Sequence, residues 1–226
     1  MTTIVLVHGL WADGSAWSET ITELRALGHE PIAAQLPLDS MEDDITAVRR
    51  VLSTVDGPVL LVGWSYGGAV ITNAAVGQDH VKALSYIAAF APDQGESVSD
   101  IAHRNPGSVI REHIRVTDDG HSYIDRPAYG EVIAADAPAA RTALAAAVQK
   151  LPRLGIDSAP SGPPAWRQVP SHYLVATQDR ALPAATQHEL AARIGAQTTE
   201  WDTGHGPMYA LPKELAAYLH SLTQNL

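Results

Sequence analysis

Pro58-Val59-Leu60-Leu61-Val62-Gly63-Trp64-Ser65-Tyr66-Gly67-Gly68 is the stretch on which the fold turns. Val59 to Val62 is a short, unbroken apolar run, the pattern of a strand buried on both faces of a parallel sheet. Ala69-Val70-Ile71-Thr72-Asn73-Ala74-Ala75-Val76 is compatible with a buried, small-residue helix. Gly63-x-Ser65-x-Gly67 sits at the junction. A serine on so tight a turn takes a strained backbone conformation. Side chains two positions before and after it would collide with neighbouring chain. The turn lifts the hydroxyl clear of the sheet and sets it at a helix N-terminus, where free N–H groups favour developing negative charge. With seventeen glycines in the chain, the bare pattern could be an ordinary glycine turn. The strand before it, the helix after it and the extra Gly68 favour a nucleophile elbow.

Upstream, Thr3 to Val7 reads as a buried strand running into the loop His8-Gly9-Leu10-Trp11-Ala12-Asp13-Gly14-Ser15. A helix is expected from about Ala16 to Leu27, with Ser15 as N-cap and Gly28 as the residue just past its end. Pro31 to Gln35 reads as a second strand and Asp43 to Val55 as a helix, punctuated by Asp56-Gly57-Pro58. Downstream of the elbow, Val81 to Ala89 is a further strand. This alternation predicts an α/β fold: a doubly wound, mostly parallel sheet of about six strands with helices on both faces. Ligands of such sheets bind beyond the carboxyl ends of the strands, where Ser65, Gly9 and Leu10 lie.

From about residue 94 to 169 the strand signals weaken and Pro, Ala and Gly dominate, with one helix expected from Pro138 to Leu151. So long a stretch is too much for a plain loop. It is expected to be a largely helical cap inserted into a single domain spanning 1–226. The sheet then resumes with His172 to Thr177 and Thr198 to Trp201, and Tyr209 to Leu222 is expected to close the chain as a helix.

Composition narrows the function. The chain has 226 residues, enough to bury a sizeable core without staples. It has no cysteine, which excludes disulfides, thiolate catalysis and Cys-based metal sites. The formal charge of −10 argues against nucleic acid and anionic membranes as partners. No apolar run is long enough to span a membrane, and the N-terminus lacks the basic segment of a signal peptide. A cytoplasmic location is expected. The pattern calls for no metal and no cofactor, and a homodimer is compatible with it.

A serine hydroxyl needs a base to take its proton and a third group to orient that base. Leu174-Val175-Ala176-Thr177-Gln178-Asp179 delivers Asp179 just past one strand, and Trp201-Asp202-Thr203-Gly204-His205-Gly206 delivers His205 just past the next. The order Ser, Asp, His suits this fold. His8 is better placed to brace its loop than to act as base. His103, His113, His121 and His188 lack a following glycine loop, and Asp202 is a rival acid lying three residues before His205. Oxyanion donors are expected from the backbone N–H of Tyr66 and, in the first loop, of Leu10, with Trp11 as runner-up.

The residues His8-Gly9, Gly63-Trp64-Ser65-Tyr66-Gly67-Gly68, Asp179 and Gly204-His205 together resemble the α/β-hydrolase superfamily. Val5-Leu6-Val7-His8-Gly9, Trp17, Leu27-Gly28-His29 and Tyr173 to Pro183 resemble its branch of plant methylesterases and hydroxynitrile lyases, with bacterial esterase relatives. The resemblance covers nearly all the chain except the cap. The lyases carry a threonine after the first-loop histidine and a lysine after the catalytic histidine. Here those positions hold Gly9 and Gly206, so the resemblance implies a serine carboxylesterase. The esterases often carry an apolar residue such as methionine right after the catalytic histidine; here Gly206-Pro207 intervenes before Met208. Gly9, Trp11, Trp64, Met208 and Tyr209 adjoin catalytic positions and are expected to bind a small apolar or aromatic ester. The alternatives are lyase or secondary-metabolite tailoring chemistry on the same triad, or a non-enzymatic ligand receptor.

Overall fold

The computed structural model describes residues 2–104, 107–224 and 226. Among them, six strands form one parallel sheet: β1 (Thr3–Val7), β2 (Ile32–Ala34), β3 (Val59–Trp64), β4 (Val81–Ile87), β7 (Ser171–Ala176) and β8 (Gln197–Trp201). Their order across the sheet is β2-β1-β3-β4-β7-β8. The intervening β5 (Ile114–Val116) and β6 (Ser122–Ile124) pair with each other as a separate antiparallel ribbon.

The unbroken apolar runs of β1 and β3 have a period-two explanation. Val5, Val7, Val59 and Leu61 point into the core on one face. Ile4, Leu6, Leu60, Val62 and Trp64 point into the core on the other. With helices on both faces every position is buried, so no polar alternation survives. The first face is covered by α2 (Met41–Leu52) and α3 (Tyr66–Ala74). All nine residues of α3 are buried, as a helix that is apolar all round requires. The second face receives α1 (Ser18–Ala26) and the terminal helix α10 (Pro212–Thr223).

Chain order reverses at β1, which has β2 on one side and β3 on the other. At such a switch point the loops leaving neighbouring strands diverge and open a crevice. The loop after β1 and the elbow after β3 are therefore brought side by side by topology alone.

Three local expectations are corrected. Gly14–Trp17 forms a 3₁₀ turn before α1, and Asp13 caps it by accepting from Ser15 N–H at 2.8 Å. The Ser15 hydroxyl donates to the same carboxylate, so Ser15 is not the cap. Gly28 does follow α1 in the left-handed region, at φ +87°. The closing helix is broken: α9 (Pro207–Ala210) ends at Leu211, and α10 begins at Pro212. Pro212 has no N–H to continue the ladder and pushes Leu211 out of helical geometry, at φ −129°. The segment between β4 and β7 is not helical throughout. It holds α4 (Val98–Arg104), α5 (Ile110–His113), the β5–β6 ribbon, α6 (Arg126–Ile133) and α7 (Ala139–Val148). The ribbon gives little strand signal in the sequence because its strands are short and Arg115 and Val116 are exposed, so that its buried face comes down to Ser122 and Ile124. Residues 105 and 106 of that segment lie outside the described residues. The remaining helix, α8 (Ala184–Arg193), links β7 to β8.

Candidate active site

Ser65 stands between β3 and α3 at φ +55°, ψ −126°. A non-glycine residue there costs about 1–3 kcal/mol and persists only where its surroundings over-determine it. Here Ser65 N–H donates to Ile87 O at 3.2 Å, and Ser65 O accepts from the N–H groups of Gly68 and Phe90, both at 3.0 Å. The flanking glycines are steric necessities. A Cβ on Gly63 would meet Gly67 O at 2.6 Å, and one on Gly67 would meet the carbonyls of Val7 and His8 at 2.6 Å.

Ser65 Oγ lies 2.9 Å from His205 Nε2, and His205 Nδ1 donates to Asp179 Oδ2 at 2.6 Å. With Nδ1 committed to a carboxylate, Nε2 is the acceptor for the serine proton. His205 and Asp179 are buried, at 3% and 8% exposure, while the serine faces a cavity. Asp202 points elsewhere and accepts from Gln178 Nε2 at 2.7 Å, so it does not compete for His205.

The orientation of Asp179 is set by four donors. Oδ1 accepts from Ala181 N–H at 2.7 Å and Leu182 N–H at 2.8 Å. Oδ2 accepts, besides His205, from Gln187 Nε2 at 2.8 Å. Gln187, fully buried on α8, also donates to Leu182 O at 2.7 Å and accepts from Ala176 N–H at 3.0 Å. Its role was not read from the sequence. Its one signal there, a glutamine eight residues past an aspartate, is too common to single out.

The histidine loop is held from two sides. Trp64 Nε1 donates to His205 O at 2.7 Å, and its ring centroid lies 5.5 Å from the imidazole. From the insertion, Asp136 Oδ2 accepts from Thr203 Oγ1 at 2.5 Å and Gly204 N–H at 3.1 Å. On the opposite side, His8 braces the first loop. Its Nδ1 donates to Gly9 O at 2.9 Å and its Nε2 accepts from Leu36 N–H at 3.1 Å. Burial pulls its pKa down to about 4, which keeps it neutral.

The cavity at Ser65 has a volume of about 90 Å³. Leu10, Trp11, Phe90, Val98, Ile110 and Leu182 supply most of its apolar wall, and Arg111 and Asp157 its charged groups. Of the residues expected to bind substrate, Trp11 is in this wall. Gly9 lies beneath it, where an added Cβ would come within 2.8 Å of Ser65 Cβ. Trp64, Met208 and Tyr209 are not in the wall. Trp64 is buried in the sheet's second core, and Met208 and Tyr209 line a separate cleft beside Arg141. The reason is the pleat: Trp64 directly precedes the elbow and points to the face opposite Tyr66.

Leu10 and Tyr66 both line the cavity. Among the described residues, neither backbone N–H meets a protein acceptor. The next residue, Trp11, is held at φ +54°. Its carbonyl accepts from Tyr129 OH at 3.0 Å and its indole donates to Ser122 Oγ at 3.2 Å, both partners coming from the insertion. Among the described residues no three His, Cys, Asp or Glu side chains gather as metal ligands would. No helix among them is long and apolar enough to cross a membrane.

Comparison with known proteins agrees with this architecture. The carbendazim hydrolyzing esterase of Nocardioides sp. is 34% identical over 112 residues, a match spanning 43% of this chain and 46% of that protein. The pimeloyl-[acyl-carrier protein] methyl ester esterase of Xanthomonas campestris is 27% identical over 96% of this chain and 93% of its own. Among solved structures, a methylesterase protein from Arabidopsis superposes with a TM-score of 0.82 at 19% identity, covering 100% of both chains. Residues 4–218, nearly the whole molecule, match the alpha/beta hydrolase family, and the chain belongs to that family.

Proposed function

We propose that this protein is a serine carboxylesterase acting on a small apolar or aromatic ester. The carrying observation is the hydrogen-bonded line from Ser65 through His205 to Asp179 at the floor of a largely apolar cavity. Relatives named as esterases support the same reading. In the reaction, His205 Nε2 takes the Ser65 proton as Oγ attacks the ester carbonyl carbon. The tetrahedral oxyanion is held by Leu10 and Tyr66 N–H. His205 returns the proton to the departing alkoxide, leaving an acyl-Ser65. Water then attacks the acyl carbon, His205 takes its proton, and the acid leaves as Ser65 is reprotonated. Asp179 holds the imidazole tautomer and stabilises the imidazolium without accepting the proton.

The insertion of about 94–169 acts in this reading as a cap over the site, contributing Val98, Ile110, Arg111 and Ile114 to the cavity. The lack of cysteine supports a cytoplasmic enzyme, and the chemistry needs no cofactor. Gly9 and Gly206 favour ester hydrolysis over lyase chemistry.

The test is intact mass after exposure to a serine-reactive phosphonate, alongside turnover of a short-chain nitrophenyl ester. The expected result is one adduct, matched by loss of turnover. Ser65→Ala should fold as the wild type does while losing both adduct and turnover. Undiminished turnover in that variant overturns the assignment.

A further inference from the structure

We propose that Asp44 is a positioning residue for the oxyanion hole: its carboxylate, buried behind the elbow, holds the Tyr66 phenol and through it the Tyr66 N–H. This rests on the esterase reading above. Asp44 lies on α2 and is fully buried. Its Oδ2 accepts from Tyr66 OH at 2.8 Å, and its Oδ1 accepts from Leu38 N–H at 2.8 Å. Tyr66 is the first residue of α3, and 1% of it is exposed. The peptide joining Ser65 to Tyr66 thus has the nucleophile on one side and an oxyanion donor on the other. Rotating the Tyr66 backbone far enough to free the phenol also turns that N–H away from the developing charge.

The carboxylate is not explained by packing. Met41, Val48 and Leu52 supply the apolar face of α2, and an ion among them is costly unless it is bonded. A neutral amide could accept from Leu38 equally well. What a carboxylate adds is a charge-assisted bond to the phenol, shorter and stronger than a neutral one. The charges acting on this pair are few. Lys150, whose ammonium donates to Leu36 O, and Asp43 act on Asp44, and Asp157, in the cavity wall, acts on Tyr66. Burial pushes the Asp44 pKa up to about 6, and burial beside Asp44 raises the Tyr66 phenol far above its usual value. Asp44 is therefore ionised at neutral pH and loses its charge as pH falls through 6.

The experiment compares wild type, D44N, Y66F and the double variant between pH 5 and 8. It measures the rate at which a fluorophosphonate labels Ser65, read by intact mass, and kcat and KM for p-nitrophenyl acetate. At pH 7.5 each single substitution should lower the labelling rate and kcat about tenfold, less than outright removal of an oxyanion donor, with KM nearly unchanged. The double variant should be no slower than the slower single, as expected for residues acting as a unit. The ratio of wild-type to D44N rates should fall towards one below pH 6.

A ratio independent of pH, an effect confined to KM, or wild-type rates in a natively folded D44N would each overturn the proposal. Should D44N fail to fold, Y66F, which removes one hydroxyl, carries the same test. An unlabelled wild type overturns the esterase reading and this proposal with it. A labelled wild type with equally fast variants overturns only the role of Asp44.

Discussion

Gln187 offers the sharpest test of how Asp179 is held. Gln187→Met keeps the side-chain volume and deletes the side chain's three shortest hydrogen bonds: to Asp179 Oδ2 at 2.8 Å, to Leu182 O at 2.7 Å and from Ala176 N–H at 3.0 Å. All three are buried, and each is worth about 1 kcal/mol net, so the variant should lose about 3 kcal/mol of stability. A 226-residue chain has an unfolding entropy of about 0.5 kcal/mol/K, so the melting temperature should drop by about 6 °C. Turnover should fall too, because Asp179 Oδ2 keeps His205 as its only side-chain donor.

Gln187→Glu adds a sign. It sets a second carboxylate against Asp179 in a buried site, and two such groups resist ionising together. The new acid's pKa is then higher in the folded state than in the unfolded chain. Its penalty is full at high pH and is relieved as pH falls through the folded pKa. Thermal unfolding followed by circular dichroism, with ester turnover alongside, measures both effects. The Glu variant should melt below the Met variant at pH 8, and the gap should narrow by pH 5. A melting point within 1 °C of wild type for Gln187→Met, or a Glu–Met gap that widens as pH falls, refutes the reasoning.

Trp11→Ala should lower the preference for aromatic over acetyl esters by about tenfold, the cost of one lost ring contact in the cavity wall. Unchanged selectivity in paired kcat/KM measurements would count against that wall. Asp136→Ala removes the bonds to Thr203 and Gly204 from an exposed carboxylate. Turnover should drop several-fold while the melting point falls by less than about 3 °C; a loss of stability without loss of kcat would make Asp136 purely structural. His8, whose pKa is lowered from 6.5 to about 4, should cost the fold about 3 kcal/mol as pH drops across that window, because the unfolded chain takes the proton first. Asp44, raised from 3.8 to about 6, acts with the opposite sign over much of the same range. The clean measurement is therefore the melting-point difference between wild type and His8→Gln, which should move in favour of the variant from pH 6.5 to pH 4. A constant difference would show that His8 is not held neutral.

What could be read from the sequence is what local chemistry and periodicity encode. The apolar run into Gly63-Trp64-Ser65-Tyr66-Gly67 specifies a strand, a strained turn and a helix, because no other residues tolerate contacts as close as those at Gly63 and Gly67. Asp179 and His205 could be expected to meet beside Ser65 because each lies just past a strand, and parallel strands all end at the same edge of the sheet. The break in the closing helix is also encoded locally, because Pro212 has no N–H to carry the ladder across it.

Only the tertiary structure could decide which neighbours in sequence are neighbours in the site. Trp64 and Tyr66 flank the same serine. The pleat sends Trp64 away from the cavity to brace the His205 carbonyl, and the helix start turns Tyr66 towards the cavity and Asp44. Met208 lies three residues from His205 and yet faces a different cleft, whereas Ile110 and Asp157, far away in sequence, reach the wall. Gln187, Asp136 and Asp44 act through hydrogen bonds across 8, 67 and 22 residues of chain. Such contacts leave no periodic trace, because they are set by how helices and insertion pack over the sheet and not by the order of residues along any one element.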